Sequence, residues 1–380
     1  MPKNAEFLFI LCQNGAERAL KSEIASRFPH FRFAFSKSGV LTFKIPDSGD
    51  DSPEILADTD LGLILGRFSG FSLGMVRGTA DSPLNPQEMA KQVWELYGSR
   101  PVRRLHVFER TQTLPGSKNY EPFLSRKSLE IRNLLLETAP EQEQLLATEP
   151  PALDAAELEA YQPGQPLLPP AVKGEFVLDC ILLSDQEWLV GYHRAMALHS
   201  RHPGGIVPLA PPPEGEMVSR AWLKLEDALH WSGLPLQKND LCVELGSAPG
   251  GAAQALLARG MQVIGIDPAE MAPEVLENKK FTHIRRRTNH VPRRSYQGGK
   301  WLFSDLNVPP SYVFEVVEEM VTKNETQNFK GLLLTLKHSK TSPIEQHPEW
   351  IRRVESWGFR DVRIRQLAFD RREVHLTAIR

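Results

Sequence analysis

The segment Glu244–Gly251, which reads ELGSAPGG, most constrains what this 380-residue chain can fold into. A short apolar run, Leu241 to Val243, precedes it, and a stretch of mainly small and helix-forming residues, Ala252 to Arg259, follows it. A second apolar run then ends at Asp267. This order of strand, glycine turn, helix, strand and acid predicts the first half of a Rossmann-like βαβ unit.

The glycine spacing also predicts a class of ligand. Gly246 allows a sharp turn off the strand, and Gly250 and Gly251 are predicted to let the start of the helix approach a ligand, because no Cβ intervenes. The spacing differs from the dinucleotide pattern G-x-G-x-x-G, and Pro249 lacks the backbone N–H that a pyrophosphate would need. A ligand without phosphate, such as S-adenosylmethionine, suits this loop better. The alternative is a turn that only packs a helix on a sheet.

We therefore predict a cofactor site at this loop. Asp267 is predicted to accept hydrogen bonds from the ribose hydroxyls of S-adenosylmethionine. The full predicted set of cofactor-binding residues is Gly246, Ala248, Pro249, Gly250, Gly251, Asp267 and Asp305.

Composition limits the class of protein. The formal net charge is −2, so the whole chain does not indicate a polyanionic partner, and any nucleic-acid surface must be a local patch. No stretch approaches the ~18 apolar residues of a membrane span. The three cysteines, Cys12, Cys180 and Cys242, lie in apolar runs without a C-x-x-C pattern. They are predicted to be buried free thiols of a cytoplasmic protein without a structural metal.

Pattern changes along the chain predict two regions. Residues 1–198 mix short strands and helices, which is typical of a small α+β region. Within it, Thr138–Lys173 is acidic and proline-rich and is predicted to be a partly helical surface insertion, with a solvated connector as its simplest interpretation. Residues 199–215 are dense in proline and glycine and are predicted to be a linker. Residues 216–380 alternate strands and helices, as in a parallel α/β sheet finished by two antiparallel strands.

Charged residues follow several predicted strands of the second region. Asp305 comes after the strand Trp301–Phe303, Lys337 follows a run of leucines, and Glu373 opens the last strand, while Lys224 lies on the helix before the first strand. Ligands of open α/β sheets bind beyond the carboxyl ends of the strands, so these four side chains are expected to converge. Taken alone, each residue has a simpler explanation. A lysine after a strand can be a solvated loop charge, Asp305 can be a helix N-cap, and Glu373 can form a surface ion pair with Arg371 or Arg372.

Two lysines and two carboxylates suit the methylation of a ribose 2′-hydroxyl. This hydroxyl is a poor nucleophile near neutral pH and needs a base within hydrogen-bond reach. Lys337 is predicted to be the base, with a pKa lowered by burial and by the neighbouring charge of Lys224. Asp305 and Glu373 are predicted to hold the two amines in place.

These motifs resemble the FtsJ-like RNA 2′-O-ribose methyltransferases. The similarity rests on ELGSAPGG, SRAWLKLEDAL (Ser219–Leu229), FSDLNVPP (Phe303–Pro310), LLTLKHSK (Leu333–Lys340) and RREVHL (Arg371–Leu376). The resemblance implies that the family's Lys-Asp-Lys-Glu tetrad falls on Lys224, Asp305, Lys337 and Glu373. Within this family the chain is most similar to the bacterial large-subunit ribosomal RNA methyltransferases of type M. That similarity implies a cytidine of 23S rRNA as substrate and an N-terminal RNA-binding region with a THUMP domain.

The chain also departs from the family pattern. An acid that contacts the adenine amine usually follows the third strand, but here the sequence is Arg285-Arg286-Arg287-Thr288-Asn289, and Asn289 or a backbone group is a candidate substitute. The second lysine of the base-bearing segment is shifted to Lys340. The basic stretch continues through Arg293, Arg294 and Lys300, with Tyr296 and Trp301 interleaved. It is either an RNA-contacting edge with stacking aromatics or a solvated loop.

Three functional hypotheses remain open from the sequence. The first is a cytoplasmic, monomeric RNA 2′-O-ribose methyltransferase that acts on ribosomal RNA. The second is a non-catalytic RNA-binding or ribosome-assembly factor that keeps the fold. The third is a small-molecule O-methyltransferase, which would need neither an RNA-binding half nor paired lysines.

Overall fold

The computed structural model describes residues 7–46, 60–115, 117, 122–140, 147–213, 215–322, 329–337 and 346–380. The chain divides into two compact units, Met1–Pro208 and Leu209–Arg380. The division falls inside the proline- and glycine-rich stretch that the sequence suggested as a linker.

The first unit contains a seven-stranded mixed sheet. Its strands are β1 (Phe7–Leu11), β2 (Arg32–Lys37), β3 (Val40–Lys44), β4 (Phe68–Arg77), β5 (Arg104–Glu109), β6 (Phe176–Ser184) and β7 (Glu187–Arg194). They lie in the order β2-β3-β1-β4-β7-β6-β5, and only the β5–β6 pair is parallel. The described helices are α1 (Glu17–Arg27), α2 (Pro86–Tyr97), α3 (Arg126–Glu137) and α4 (Ala155–Ala160). The described strands of this unit thus form one continuous sheet, as expected of a single α+β region.

Helices α2 and α3 cover one face of this sheet. Asn85 caps α2 through a reciprocal capping box with Glu88, and Pro86 occupies the first turn. Trp94 donates a hydrogen bond to the carbonyl of Leu135, which joins the two helices at 3.0 Å. Strand β6 is buried on both faces, because its alternate residues enter clusters on opposite sides of the sheet.

The acidic insertion is not only a solvated connector. The helical piece α4 is exposed, which agrees with the predicted partly helical surface segment. However, the Glu149 side chain is 3% exposed and lies 2.6 Å from Arg132 of α3. Tyr161 also donates a hydrogen bond to the carbonyl of Leu124. These contacts attach the described parts of the insertion to the first unit; Glu141 and Glu143 lie outside the described residues.

The second unit contains another seven-stranded sheet. Its strands are β8 (Leu241–Leu245), β9 (Gln262–Ile266), β10 (Phe281–Ile284), β11 (Trp301–Ser304), β12 (Gly331–Lys337), β13 (Arg360–Arg365) and β14 (Glu373–Ile379). The described helices are α5 (Ala221–Ser232), α6 (Gly251–Ala258), α7 (Pro273–Leu276), α8 (Pro310–Thr322) and α9 (His347–Ser356). The strand order is β10-β9-β8-β11-β12-β14-β13.

The first five strands of this order run parallel, and β14 inserts antiparallel between β12 and β13. The predicted parallel sheet with an antiparallel final pair is therefore confirmed. The strand order reverses between β8 and β11, and such a switch point opens a crevice at the carboxyl ends of the strands. The glycine loop after β8 lies at this crevice.

The three cysteines are buried and free, as predicted. Among the helices that the structure describes, none combines the length and apolar character needed to cross a bilayer.

Candidate active site

Four charged side chains meet at the carboxyl edge of the second sheet. The Lys224 ammonium lies 2.5 Å from Asp305 and 3.5 Å from Glu373. The Lys337 ammonium lies 3.2 Å from each of the same two carboxylates. The structure thus brings the four predicted side chains into one alternating ring of two cations and two anions.

The sheet register explains this convergence. Lys337 ends β12 and pairs directly with Glu373, which begins the antiparallel strand β14. Asp305 follows β11, the neighbour of β12, and its N–H donates to the carbonyl of Leu245 on β8. Lys224 comes from α5. The Glu373 side chain is 9% exposed and accepts hydrogen bonds from the backbone N–H groups of Arg371 and Arg372. The simpler explanation of Glu373 as a surface partner of those arginine side chains is therefore wrong.

The ring shifts the pKa of Glu373 and of Lys337. Burial alone would raise the pKa of Glu373, but the two lysines and the two backbone N–H groups outweigh it and lower this pKa to about 2. Burial alone would lower the pKa of Lys337, but Asp305 and Glu373 outweigh it and raise this pKa above the usual lysine value. The predicted lowering of the Lys337 pKa is wrong for this structure, because two carboxylates lie within hydrogen-bond distance of the Lys337 ammonium.

The glycines of the loop serve packing within the protein. Gly246 has φ +78°, and a Cβ there would lie 3.0 Å from the backbone of Asp305 and Leu306. A Cβ on Gly250, at φ +121°, would lie 2.7 Å from Val275, and one on Gly251 would lie 2.8 Å from the carbonyl of Ser219. The observed close approaches at Gly250 and Gly251 are therefore to neighbouring protein segments, whereas the sequence suggested an approach to a ligand.

Asp267 and the middle of the loop lie together at the ends of β9 and β8. The Asp267 carboxylate accepts hydrogen bonds from the N–H groups of Ala248, at 3.2 Å, and Ala269, at 2.8 Å. Pro249 is exposed, and its carbonyl accepts a hydrogen bond from Ala272. These contacts fix the carboxylate beside the loop.

A third carboxylate, Glu244, was not singled out from the sequence. It is 2% exposed and accepts a hydrogen bond from the Ser247 hydroxyl at 2.9 Å. Burial, with the nearby charges of Asp305 and Asp267, raises the pKa of Glu244 to about 8, although the Ser247 bond acts in the opposite direction. The carboxylates of Asp267 and Asp305 beside this loop suit a cationic ligand without phosphate, such as a sulfonium nucleoside, and would repel a pyrophosphate.

The sequence reading also missed a buried dyad behind the ring. His375 lies 2.8 Å from Asp370 and 3.4 Å from the Thr335 hydroxyl. Burial alone would lower the pKa of His375, but Asp370 outweighs it and raises this pKa. His375 lines a small pocket together with Lys224, Glu244 and Asp305. Period-two alternation could have indicated it, because His375 lies two residues after Glu373 on the same strand.

The basic stretch is exposed, but its aromatic residues are not. Arg285, Arg286, Arg287, Arg293 and Arg294 face solvent. Tyr296 and Trp301 are 3% and 2% exposed, and Trp301 donates a hydrogen bond to Asp240. The predicted stacking of RNA bases on these two rings is therefore wrong. Asn289 is exposed after β10, and Lys340 lies outside the described residues.

Comparison with known proteins places these motifs in a family. Residues 217–300 match the model of the FtsJ-like methyltransferase family. The chain is 30% identical over 223 residues to the ribosomal RNA large subunit methyltransferase M of Teredinibacter turnerae, covering 54% of this chain and 60% of that protein. The enzyme of the same name from Colwellia psychrerythraea is 34% identical over 152 residues, covering 38% of this chain and 39% of that protein.

These alignments leave much of each relative uncovered. The enzyme M of Aeromonas salmonicida, for example, is 29% identical over 158 residues, or 40% of this chain, and the chain spans 42% of its length. TrmN from Thermus thermophilus superposes with a TM-score of 0.33 and 11% identity, covering 98% of this chain and 99% of that chain. This TM-score is too low to establish a shared fold. Residues 217–300 of the second unit thus form an FtsJ-like methyltransferase segment, of a family that uses S-adenosylmethionine, and the chain is distantly similar to the ribosomal RNA large subunit methyltransferases M.

Proposed function

We propose that this protein is a cytoplasmic enzyme that transfers a methyl group from S-adenosylmethionine to a ribose 2′-hydroxyl of ribosomal RNA. We further propose that the target is a cytidine of 23S rRNA. The observation that carries the proposal is the ring of Lys224, Asp305, Lys337 and Glu373 beside the glycine loop. The names of the relatives support the choice of substrate.

The cofactor is proposed to lie along the loop after β8. Gly246, Ala248, Pro249, Gly250 and Gly251 would form its backbone cradle, with Asp267 accepting hydrogen bonds from the ribose and Asp305 facing it from β11. When bound, S-adenosylmethionine supplies an electrophilic methyl group on a sulfonium. The carboxylates of Asp267 and Asp305 favour a cation here, because their negative charges act on the same small region. Glu244, whose pKa is about 8, is mostly protonated near pH 7 and adds little negative charge.

Lys337 is proposed to be the general base. Its amine can accept the hydroxyl proton only when neutral, whereas Asp305 and Glu373 keep it charged in this structure. The neutral fraction is therefore small near pH 7 and grows as the pH rises. Lys224 balances the charge of the two carboxylates, so that loss of the Lys337 proton does not leave both of them unpaired. Positioning of the hydroxyl supplies much of the remaining acceleration.

The first unit is proposed to be the RNA-binding half, with a THUMP-type domain in a monomeric protein. Among its described basic residues, Arg104 is buried against Glu175. The second candidate function is a catalytically silent RNA-binding factor. The raised pKa of Lys337 favours it, because an amine that stays protonated cannot serve as a base.

A transfer assay distinguishes these functions. The protein is incubated with S-adenosylmethionine labelled in the methyl group and with ribosomal RNA from cells that lack this gene. The RNA is then digested to nucleosides. We expect label in 2′-O-methylcytidine. Label in a base would contradict the proposed reaction, and RNA binding without any transfer would support the silent factor.

A further inference from the structure

A second cluster of polar side chains lies buried in the first unit. His106 on β5, Asp179 on β6 and His193 on β7 are 3%, 0% and 4% exposed. His106 pairs directly with Asp179 in the parallel register, and His193 lies diagonally across the β6–β7 pair. Three adjacent strands thus each present one side chain to the same place. One ligand atom from each lies within 4.8 Å of the other two.

Two polar atoms of this cluster have no hydrogen-bond partner within the described residues: His106 Nδ1 and Asp179 Oδ1. They lie 4.0 Å apart, which is too far for a hydrogen bond. Leaving two such atoms unsatisfied in a protein interior is costly, and the exceptions in native structures need an explanation.

The hydrogen bonds of His193 fix which of its nitrogens has a free lone pair. Its Nε2 lies 2.7 Å from the carbonyl oxygen of Ser200, which can only accept, so Nε2 carries the hydrogen. In the neutral ring, Nδ1 then presents a lone pair to Asp179 Oδ2, 2.6 Å away. The lone pairs of His193 Nδ1 and Asp179 Oδ2 repel each other at this distance unless a proton or a metal ion lies between them. A proton on Nδ1 would satisfy this contact but would leave His106 Nδ1 and Asp179 Oδ1 without partners.

We propose that His106, Asp179 and His193 bind a divalent transition-metal ion of the zinc class. A single ion takes up lone pairs from both imidazoles and the carboxylate, which a single proton cannot do. Imidazole nitrogen with carboxylate oxygen is a donor set typical of zinc. The hydrogen bond from His193 Nε2 to Ser200 is also the arrangement that orients most metal-bound histidines.

The geometry requires only a small adjustment. Tetrahedral zinc with bonds of about 2.0–2.2 Å holds its ligand atoms roughly 3.4 Å apart. Asp179 now lies 2.6 Å from His193 Nδ1 through Oδ2 and 4.0 Å from His106 Nδ1 through Oδ1, so the carboxylate would turn to place one oxygen near this distance from both nitrogens. Three protein ligands leave a fourth position for water. The site would tie three strands together and, through Ser200, would hold the segment that ends the first unit.

The sequence predicted no structural metal because the cysteines lack a C-x-x-C pattern. A site built from histidine and aspartate revises that expectation. It is independent of the proposed methyl transfer, because all three ligands lie in the other unit. Its test therefore uses metal content and spectra, which loss of methyl transfer would not change.

The test measures zinc in the full-length protein purified without a histidine tag and dialysed against a weak chelator. We expect roughly one zinc ion per chain in the parent and less than about 0.2 in Asp179→Asn and His106→Gln. His290→Gln, which removes an exposed histidine of the second unit, should keep the metal. Little zinc in the parent, or equal zinc in parent and ligand variants, would overturn the proposal.

A measurement on the parent alone covers the case in which the ligand variants do not fold. The protein is stripped of metal and titrated with Co²⁺. We expect visible d–d absorption of a tetrahedral or five-coordinate cobalt site, saturating at one ion per chain and displaced by Zn²⁺. Absence of these bands in a folded protein would overturn the proposal.

Discussion

Lys224 and Lys337 contact the same two carboxylates but differ in accessibility. The Lys224 side chain is 15% exposed and reaches Asp305 at 2.5 Å. The Lys337 side chain is 28% exposed and lies at equal distances from Asp305 and Glu373. Lys337 is thus the more reachable amine for a polynucleotide, which supports its proposed role as the base and the proposed role of Lys224 as the fixed counter-charge.

Replacing Lys337 tests the proposed base. Lys337→Ala should reduce turnover by a factor of at least ~100, because a positioned general base is lost. Lys337→Arg should fare no better, since the guanidinium stays protonated at any accessible pH. Affinity for S-adenosylmethionine, measured by isothermal titration, should change little in both. Lys280→Ala is the matched control, because Lys280 is held by Asn239 in the same unit outside the ring. Near-normal turnover of the arginine variant would show that no lysine base is needed.

The raised pKa of Lys337 predicts a particular pH dependence. The ratio kcat/KM reports groups of the free enzyme, and the neutral amine is scarce at every pH well below its pKa. We therefore expect kcat/KM to rise about tenfold per pH unit from pH 6.5 to 9.5 without levelling off. Lys224→Met should slow the reaction at each pH without producing a plateau, because removing this cation leaves Lys337 alone with both carboxylates. A plateau near pH 8 would contradict a base with a raised pKa.

At the scale of elements, local patterns were predictable and distant contacts were not. The glycine turn between β8 and α6, the cap of α2 and the residues after each strand depend on neighbours in sequence. The burial of Tyr296 and Trp301 depends on packing against distant segments; Trp301 meets Asp240, which is 61 residues away. The pKa of Lys337 likewise depends on distances to Asp305 and Glu373, which only the sheet register sets.

Glu244, the buried acid of β8, should make the second unit less stable as the pH rises, because its ionised form is costly to bury. The pKa of Glu244 is about 8 in the folded chain and near 4.5 when exposed, so the unfolded chain loses this proton first. Stability is therefore lost from about pH 4.5 up to about pH 8. Glu244→Gln should stabilise by roughly 2–4 kcal/mol at pH 8 and less at pH 5, measured by urea unfolding.

The control for this prediction is Glu274→Gln, which changes an exposed acid of α7. It should alter stability little at either pH. If the gain of Glu244→Gln were the same at pH 5 and pH 8, titration of Glu244 would not be its cause.

The loop between β8 and α6 should determine cofactor affinity. Gly250→Val should abolish binding of S-adenosylmethionine, because the new side chain would meet Val275 at a positive φ and displace the loop. Asp267→Ala should weaken binding by about 1–3 kcal/mol, through the lost hydrogen bonds to a charged acceptor. Gly298→Ala, at φ +86° with open space around it, is the control for backbone strain alone. If Gly250→Val and Asp267→Ala both bound S-adenosylmethionine as tightly as the parent in isothermal titration, the cofactor site would lie elsewhere.

At the scale of the whole molecule, the sequence indicated two regions but not their sheets. Among the residues that the structure describes, each unit has a seven-stranded sheet, and the order β2-β3-β1-β4-β7-β6-β5 of the first unit follows no periodic signal in the sequence. Glu149 shows why the solvated-connector interpretation of the acidic insertion is wrong for its described part, since the burial of Glu149 depends on Arg132, 17 residues earlier. The FtsJ-like match covers residues 217–300, which lie in the second unit.

The proposed methyl transfer is tested most sharply by mapping 2′-O-methyl groups in the ribosomal RNA of the host with and without this gene. We expect that one site, a cytidine of 23S rRNA, loses its methyl group and regains it when the parent protein is restored, but not when Lys337→Ala is restored at equal abundance. An unchanged map, loss of a base methylation instead, or full restoration by Lys337→Ala would contradict it.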